Sequence, residues 1–141
     1  MTKLPLPFTL VALRLIYVIL CLPGHNSFFG DVEMNVVSRV PNTPSPSKVR
    51  CQSKDDDIGA HILLTGQRLR WEFGKTFMQA TLFFCHFYWG SKQKTFIVYD
   101  SKLSFHCRNP QYCWLTWEAR PEGFYLSDNN ERTWMKMNDW A

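Results

Sequence analysis

Five cysteines, four histidines and a run of three aspartates are the side chains in this 141-residue sequence whose chemistry could extend beyond packing. Cys21 lies in an apolar amino-terminal stretch, while Cys51, Cys85, Cys107 and Cys113 are spread over the remainder. Those four thiols could ligate zinc together with His86 and His106. Structural zinc, however, takes cysteine pairs with about two to four residues between them, and the nearest pair here, Cys107 and Cys113, has five between. An even set in a small exported domain reads instead as two disulfides, with three pairings open. Asp55, Asp56 and Asp57, followed by Gly59, offer the hard oxygen ligands that suit calcium on a turn. The acidic spacing of an EF-hand loop is missing, and no glutamate closes it. What remains is a turn in which carboxylates accept from nearby backbone N–H groups and Gly59 adopts a positive φ, compatible with an exposed recognition loop.

Catalysis needs a base aimed at a nucleophile. Around His25, His61, His86 and His106 the sequence offers no Gly-x-Ser-x-Gly, no His-Glu-x-x-His and no paired-carboxylate segment. His86 follows Cys85 inside an apolar run and is expected to be packed or hydrogen-bonded. The expectation is a protein that is not an enzyme, with no catalytic, metal or cofactor residues.

The elements that must position these groups read as short strands. Asp31 to Val40 alternates Val32, Met34 and Val36 against Glu33 and Asn35, which predicts an opening half-buried strand. Pro41 to Ser47 holds three prolines and must be a loop. Lys48 to Ser53 returns as a strand carrying Cys51, and Lys54 to Gly59 is the acidic turn. Leu69, Trp71 and Phe73 alternate with Arg68, Arg70 and Glu72, so that strand has one wet face. From Thr81 to Trp89 both parities are largely apolar, which predicts a central strand covered on both faces. Gly90 to Lys94 links it to Thr95–Asp100 as a hairpin. Cys113 to Glu118, Gly123 to Ser127 and Arg132 to Met137 follow as closing strands. With no stretch of convincing helical period, the pattern predicts an all-β fold, a small antiparallel β-sandwich stabilised by two disulfides.

The amino terminus has the layout of a secretory signal peptide: Lys3, an apolar run from Phe8 to Leu22, then Pro23 and Gly24. Residues 1–24 are expected to be that leader and 25–141 the domain. The run is too short, and Arg14 too disruptive, for a membrane anchor, so no stable membrane insertion is expected after cleavage. Removing Lys3 and Arg14 leaves 14 basic against 12 acidic residues, a net charge of +2 with no basic block. That is too weak a field for a nucleic-acid partner.

Read together, Cys51-Gln-Ser53-Lys54-Asp55-Asp56-Asp57-Ile-Gly59, Trp71-Glu-Phe73, Thr81-Leu-Phe-Phe-Cys85 with Trp89, and Cys107 with Cys113-Trp114 resemble the plant self-incompatibility S1 family, the S-protein homologues. The resemblance spans about Val32 to the last strand. Arg50 and Gln52 stand where His-Cys-Lys is common around the first cysteine, and the Pro41 to Ser47 loop is richer in proline than usual. The resemblance implies a secreted, extracellular β-sandwich with two disulfides. It also implies a signalling ligand that binds a membrane receptor ectodomain; in poppies, members made by the stigma trigger rejection of self pollen through calcium signalling. A monomer is expected. The alternative is an extracellular glycan- or small-ligand-binding β module without a signalling role.

Among the three pairings, the expectation joins Cys51 with Cys113 and Cys85 with Cys107. Most aromatics are expected in the core, with Trp134, Met135, Met137 and Trp140 as a candidate exposed patch. Receptor contact is expected from the loops Pro41 to Ser47, Lys54 to Thr65, Gly90 to Lys94 and Lys102 to Gln111.

Overall fold

A computed structural model of the protein describes residues 30–74, 81–109 and 111–141. The expected leader, residues 1–24, lies outside them. Among the described residues nine strands form two sheets: β1 (Asp31–Ser38), β2 (Ser47–Gln52), β3 (Asp57–Leu63), β4 (Arg68–Gly74), β5 (Phe83–Trp89), β6 (Lys92–Tyr99), β7 (Tyr112–Arg120), β8 (Gly123–Ser127) and β9 (Met135–Asn138). One sheet runs β4-β1-β7-β8-β9 and the other β3-β2-β5-β6. The β-sandwich reading of the sequence is what the chain adopts. Neighbouring strands are antiparallel except β1 and β7, which run parallel because the chain crosses to the other sheet and returns at the end where β1 began.

Alternation explains the core. Val32, Met34 and Val36 of β1, Leu69 and Trp71 of β4, and Leu115 and Trp117 of β7 face Val49, Phe83, Phe87 and Val98 of the second sheet. Aromatic rings cross the gap: Phe87 lies 4.7 Å from Phe124 and Phe96 5.0 Å from Trp117, centroid to centroid. Trp117 Nε1 also donates to the Val98 carbonyl of the facing sheet at 2.9 Å, which satisfies its buried N–H and fixes the relative position of the layers.

Four expectations change. β1 is buried on both faces, because Glu33, Asn35 and Val37 on its outward side lie between two paired neighbours and under the arginines of β4. Conversely, β5 is central but only half covered: Phe83, Cys85 and Phe87 are buried, whereas Tyr88 on the outward face is exposed. The segment read as one loop from Lys54 to Thr65 contains β3, an edge strand whose exposure masks the alternation that would announce it.

The disulfide pairing also differs. Cys51 bonds Cys85, and Cys107 bonds Cys113. Cys51 and Cys85 are directly opposite on antiparallel β2 and β5, Cα atoms 4.1 Å apart, with side chains on the same face. Cys113 begins β7 in the other sheet. Cys107, just after the 3-10 turn, comes within 4.9 Å of it, Cα to Cα, so each sulfur bonds the neighbour that the strand pairing or the local turn sets beside it, and the expected Cys51 with Cys113 and Cys85 with Cys107 do not form.

Candidate interaction surface

Successive antiparallel strands place their connections at alternate poles of the sandwich. Residues 39–46, 64–67, 90–91 and 121–122 gather at one pole, and 53–56, 100–109 and 128–134 at the other. The four loops expected to contact a partner therefore do not share one surface. Pro41 to Ser47 and the 64–67 turn are joined at the first pole, where Thr65 donates its backbone N–H to Asn42 Oδ1 at 2.8 Å.

The second pole holds the feature that stands out chemically. Asp100 Oδ1 accepts from the Leu103 N–H at 2.8 Å and the Asp100 carbonyl from the Ser104 N–H at 3.0 Å, which starts a single-turn 3-10 helix, Leu103–His106. Cys107 donates to the Ser104 carbonyl at 3.0 Å and is bonded to Cys113 at the start of β7. His106 Nδ1 and the Arg108 guanidinium both contact the Asp128 carboxylate, at 3.2 and 3.1 Å. The segment is thus fastened at both ends and in the middle. It presents Phe105 with 89% of its surface in water, more than any other large apolar side chain among the described residues. Leaving such a ring unburied forgoes about 1.5–3 kcal/mol relative to core placement.

Tyr112 and Trp114 flank Cys113, and because Cys113 points into the core both rings point outward; they are 36% and 44% exposed, edge to face at 5.6 Å. Beneath them lies a polar cluster. Tyr112 Oη donates to Glu33 Oε1 at 3.1 Å and to Glu72 Oε1 at 3.2 Å; Arg70 joins the same two carboxylates, and Asn35 Nδ2 donates to Glu33 Oε2 at 2.9 Å. Burial pushes the Glu33 carboxyl up, but hydrogen bonds from Arg70, Asn35 and Tyr112 outweigh it and hold its pKa below the ordinary carboxylate value. Burial, with the neighbouring Glu33 carboxylate, pushes the Tyr112 phenol up, so it remains a neutral donor. Phe105 is thus held out on the segment that the Cys107–Cys113 bridge closes, and Tyr112 and Trp114 stand exposed on either side of Cys113, with the Tyr112 hydroxyl tied to the ion-pair cluster.

The sequence motif is mostly structural. Ser53 donates its N–H to the Asp56 carbonyl at 2.7 Å and its Oγ accepts from the Asp56 N–H at 3.0 Å. Asp57 accepts from Arg50 at 2.8 Å and from the Gly59 N–H at 2.9 Å, with Gly59 at φ +89°. The Arg50 guanidinium and then the Gly59 N–H lower the Asp57 pKa. Trp71 is buried 5.5 Å from Phe83, Phe73 is half-buried 4.8 Å from the same ring, and Trp89 packs on Trp140 at 5.7 Å. Lys54, Asp55, Asp56 and Asp57 on the turn, with Trp114, are left facing solvent at the second pole. Of the carboxy-terminal patch, Met135 and Met137 are exposed, but Trp140 packs on Phe124 at 4.5 Å and donates to the Arg120 carbonyl at 2.8 Å. Trp134 lies near the Arg120 guanidinium, 5.4 Å away. His86 is half-buried and hydrogen-bonded to Gln93 and Tyr88. No group of three or more His, Cys, Asp or Glu among the described residues is arranged to hold a metal. Phe105 and Tyr112 escaped the sequence reading; the signal for Phe105 was a lone ring between Ser104 and His106 in a segment without strand alternation.

The profile of the family described as Plant self-incompatibility protein S1 matches residues 34–140. The chain belongs to this family. It is similar to S-protein homolog 29 of Arabidopsis thaliana, 31% identical with 94% of each chain covered. It is also similar to S-protein homolog 6 of the same plant, 42% identical over about half of each chain (55% and 54%). Self-incompatibility protein S1 of Papaver rhoeas is 26% identical with 77% of each covered. No solved structure matches. The S1-family match begins inside β1 and ends at Trp140, so both sheets and both disulfides fall within the family domain. No helix among the described residues is long and apolar enough to cross a membrane.

Proposed function

We propose that this S1-family protein is exported with loss of residues 1–24 and acts as a monomeric protein ligand, using the second pole to bind a membrane receptor ectodomain. The observation that carries the reading is Phe105, held out in water on a segment closed by Cys107–Cys113, with the exposed rings of Tyr112 and Trp114 on either side of Cys113. Rigid aromatic anchors lose little conformational entropy on binding and are typical centres of interface energy. The poppy relative's name, Self-incompatibility protein S1, makes rejection of self pollen the first biological outcome to examine. Membership of this family supports a binding role without turnover.

The test is saturable binding of labelled, oxidised protein to intact pollen and vegetative cells, with and without protease treatment of the surface. Phe105→Ala with Trp114→Ala should reduce binding at least tenfold while leaving the thermal transition within a few degrees. Protease-resistant binding, or binding indifferent to the double substitution, would overturn the receptor reading. Pollen growth arrest by the protein, together with expression confined to the stigma, would support the self-incompatibility role.

A further inference from the structure

The outward face of the four-stranded sheet presents a second, chemically different surface. Register places Ile62, Lys48, Tyr88 and Gln93 in one row across β3, β2, β5 and β6, and Ala60, Arg50, His86 and Thr95 in the next. With strands about 4.8 Å apart, each row is about 14 Å long. Tyr88 is 37% and Ile62 66% exposed. The Tyr88 ring stacks on His86, centroids 4.0 Å apart and planes 16° from parallel, with Lys48 Nζ 5.7 Å from its centroid. Gln93 Oε1 lies 2.8 Å from His86 Nε2, and Tyr88 Oη 3.0 Å from His86 Nδ1. A carbonyl oxygen can only accept, so Nε2 donates to Gln93, and with the proton there Nδ1 is the atom that can accept from the tyrosine. The chain of bonds fixes the Tyr88 ring in place with one face on the His86 imidazole.

The outward positions of these rows include Lys48 and Arg50 as cations. The carboxylate beside them, Asp57, is already joined to Arg50 at 2.8 Å. A flat, cationic face with an oriented ring and amide and hydroxyl side chains fits neither a helix groove nor an apolar small molecule. We propose that it binds a linear anionic polysaccharide, a polymer of uronic acid residues. The C–H face of a sugar ring packs on Tyr88, a carboxylate sits by Lys48 and Arg50, and sugar hydroxyls pair with Gln93 and Thr95. Stacking on an aromatic face provides orientation, and the carboxylate distinguishes this polymer from a neutral glucan. The face is formed by the strands themselves and not by the connecting segment at the second pole that carries Phe105, so it serves a role separate from receptor contact: retention in an acidic polymer matrix.

The probe is polygalacturonic acid, compared with its fully methyl-esterified form and with a neutral cello-oligosaccharide, measured by affinity electrophoresis and calorimetry on the oxidised protein. Binding to the acid form alone is expected, weakening as salt rises. Tyr88→Ala should lower affinity about five- to tenfold, and Lys48→Ala should lower it and flatten the salt dependence. Tyr88→Phe, which keeps the ring, should retain most of the affinity. Lys136→Ala, on the other sheet, should change nothing. No binding, equal binding to the esterified or neutral polymer, or an effect of Lys136→Ala equal to that of Lys48→Ala would each overturn the proposal. Phe105→Ala should leave this binding intact, which keeps its failure distinct from that of the receptor reading.

Discussion

Replacing Cys51 and Cys85 together by alanine should cost nearly twice the stability lost on replacing Cys107 and Cys113. A cross-link stabilises chiefly by restricting the unfolded chain, and the restriction grows with the logarithm of the loop closed. The first bridge spans 34 residues and the second 6. At 25 °C the chain-entropy relation gives about 3.8 kcal/mol for the longer loop and about 2.2 kcal/mol for the shorter. Packing widens the gap, since Cys51 and Cys85 are wholly buried between the sheets and their sulfurs leave a void, whereas Cys107 is half-exposed. Urea unfolding of the two double variants, read as midpoints at unchanged slope, measures the difference. Peptide mapping of the unreduced parent should find the 51–85 and 107–113 pairs. Equal losses, a larger loss at the short loop, or a mapped Cys51–Cys113 bridge would refute both the connectivity and the loop-length reasoning.

Three other outcomes follow from particular contacts. Gly123 sits at φ +145°, and a Cβ there would lie 2.5 Å from the Asn138 carbonyl oxygen, so Gly123→Ala should destabilise by about 2–3 kcal/mol and lower the melting temperature by roughly 10 °C or more. Because the folded pKa of Glu33 lies below its ordinary 4.5, its contribution is present above that value and is lost as pH falls through the folded pKa. Glu33→Gln should therefore flatten the acid limb of a stability–pH profile below about pH 4.5, and an unchanged limb would show that Arg70 does not stabilise the carboxylate. Trp117→Phe should cost about 1–2 kcal/mol more than Trp71→Phe, since Trp117 loses a bond to the Val98 carbonyl while the Trp71 N–H has no partner among the described residues. Calorimetric melts of the pair would settle it, equal losses counting against the argument.

Much of the sandwich was legible because alternation is local. Leu69 and Trp71 against Arg68 and Arg70, or Leu115 and Trp117 within β7, announce a strand and its inward face from side chains two residues apart. The Asp57–Gly59 turn was equally readable, since an acceptor two residues before a glycine needs no distant partner. β3 was not: an edge strand exposed along most of its length, with Leu63 its one buried residue, carries no alternation.

The sequence by itself determined most of the strands, β3 excepted, that four thiols are present to form two bridges, and that the chain carries the S1-family motif. Tertiary structure alone decided which cysteines meet, that Glu33 and Asn35 are buried, and that Phe105 is held in water while Trp140 is packed. Strand identity follows from neighbours along the chain. Bridge partners, covered faces and presented rings depend on which strands lie side by side, and that order is fixed by contacts between residues far apart in sequence, where no local pattern reaches.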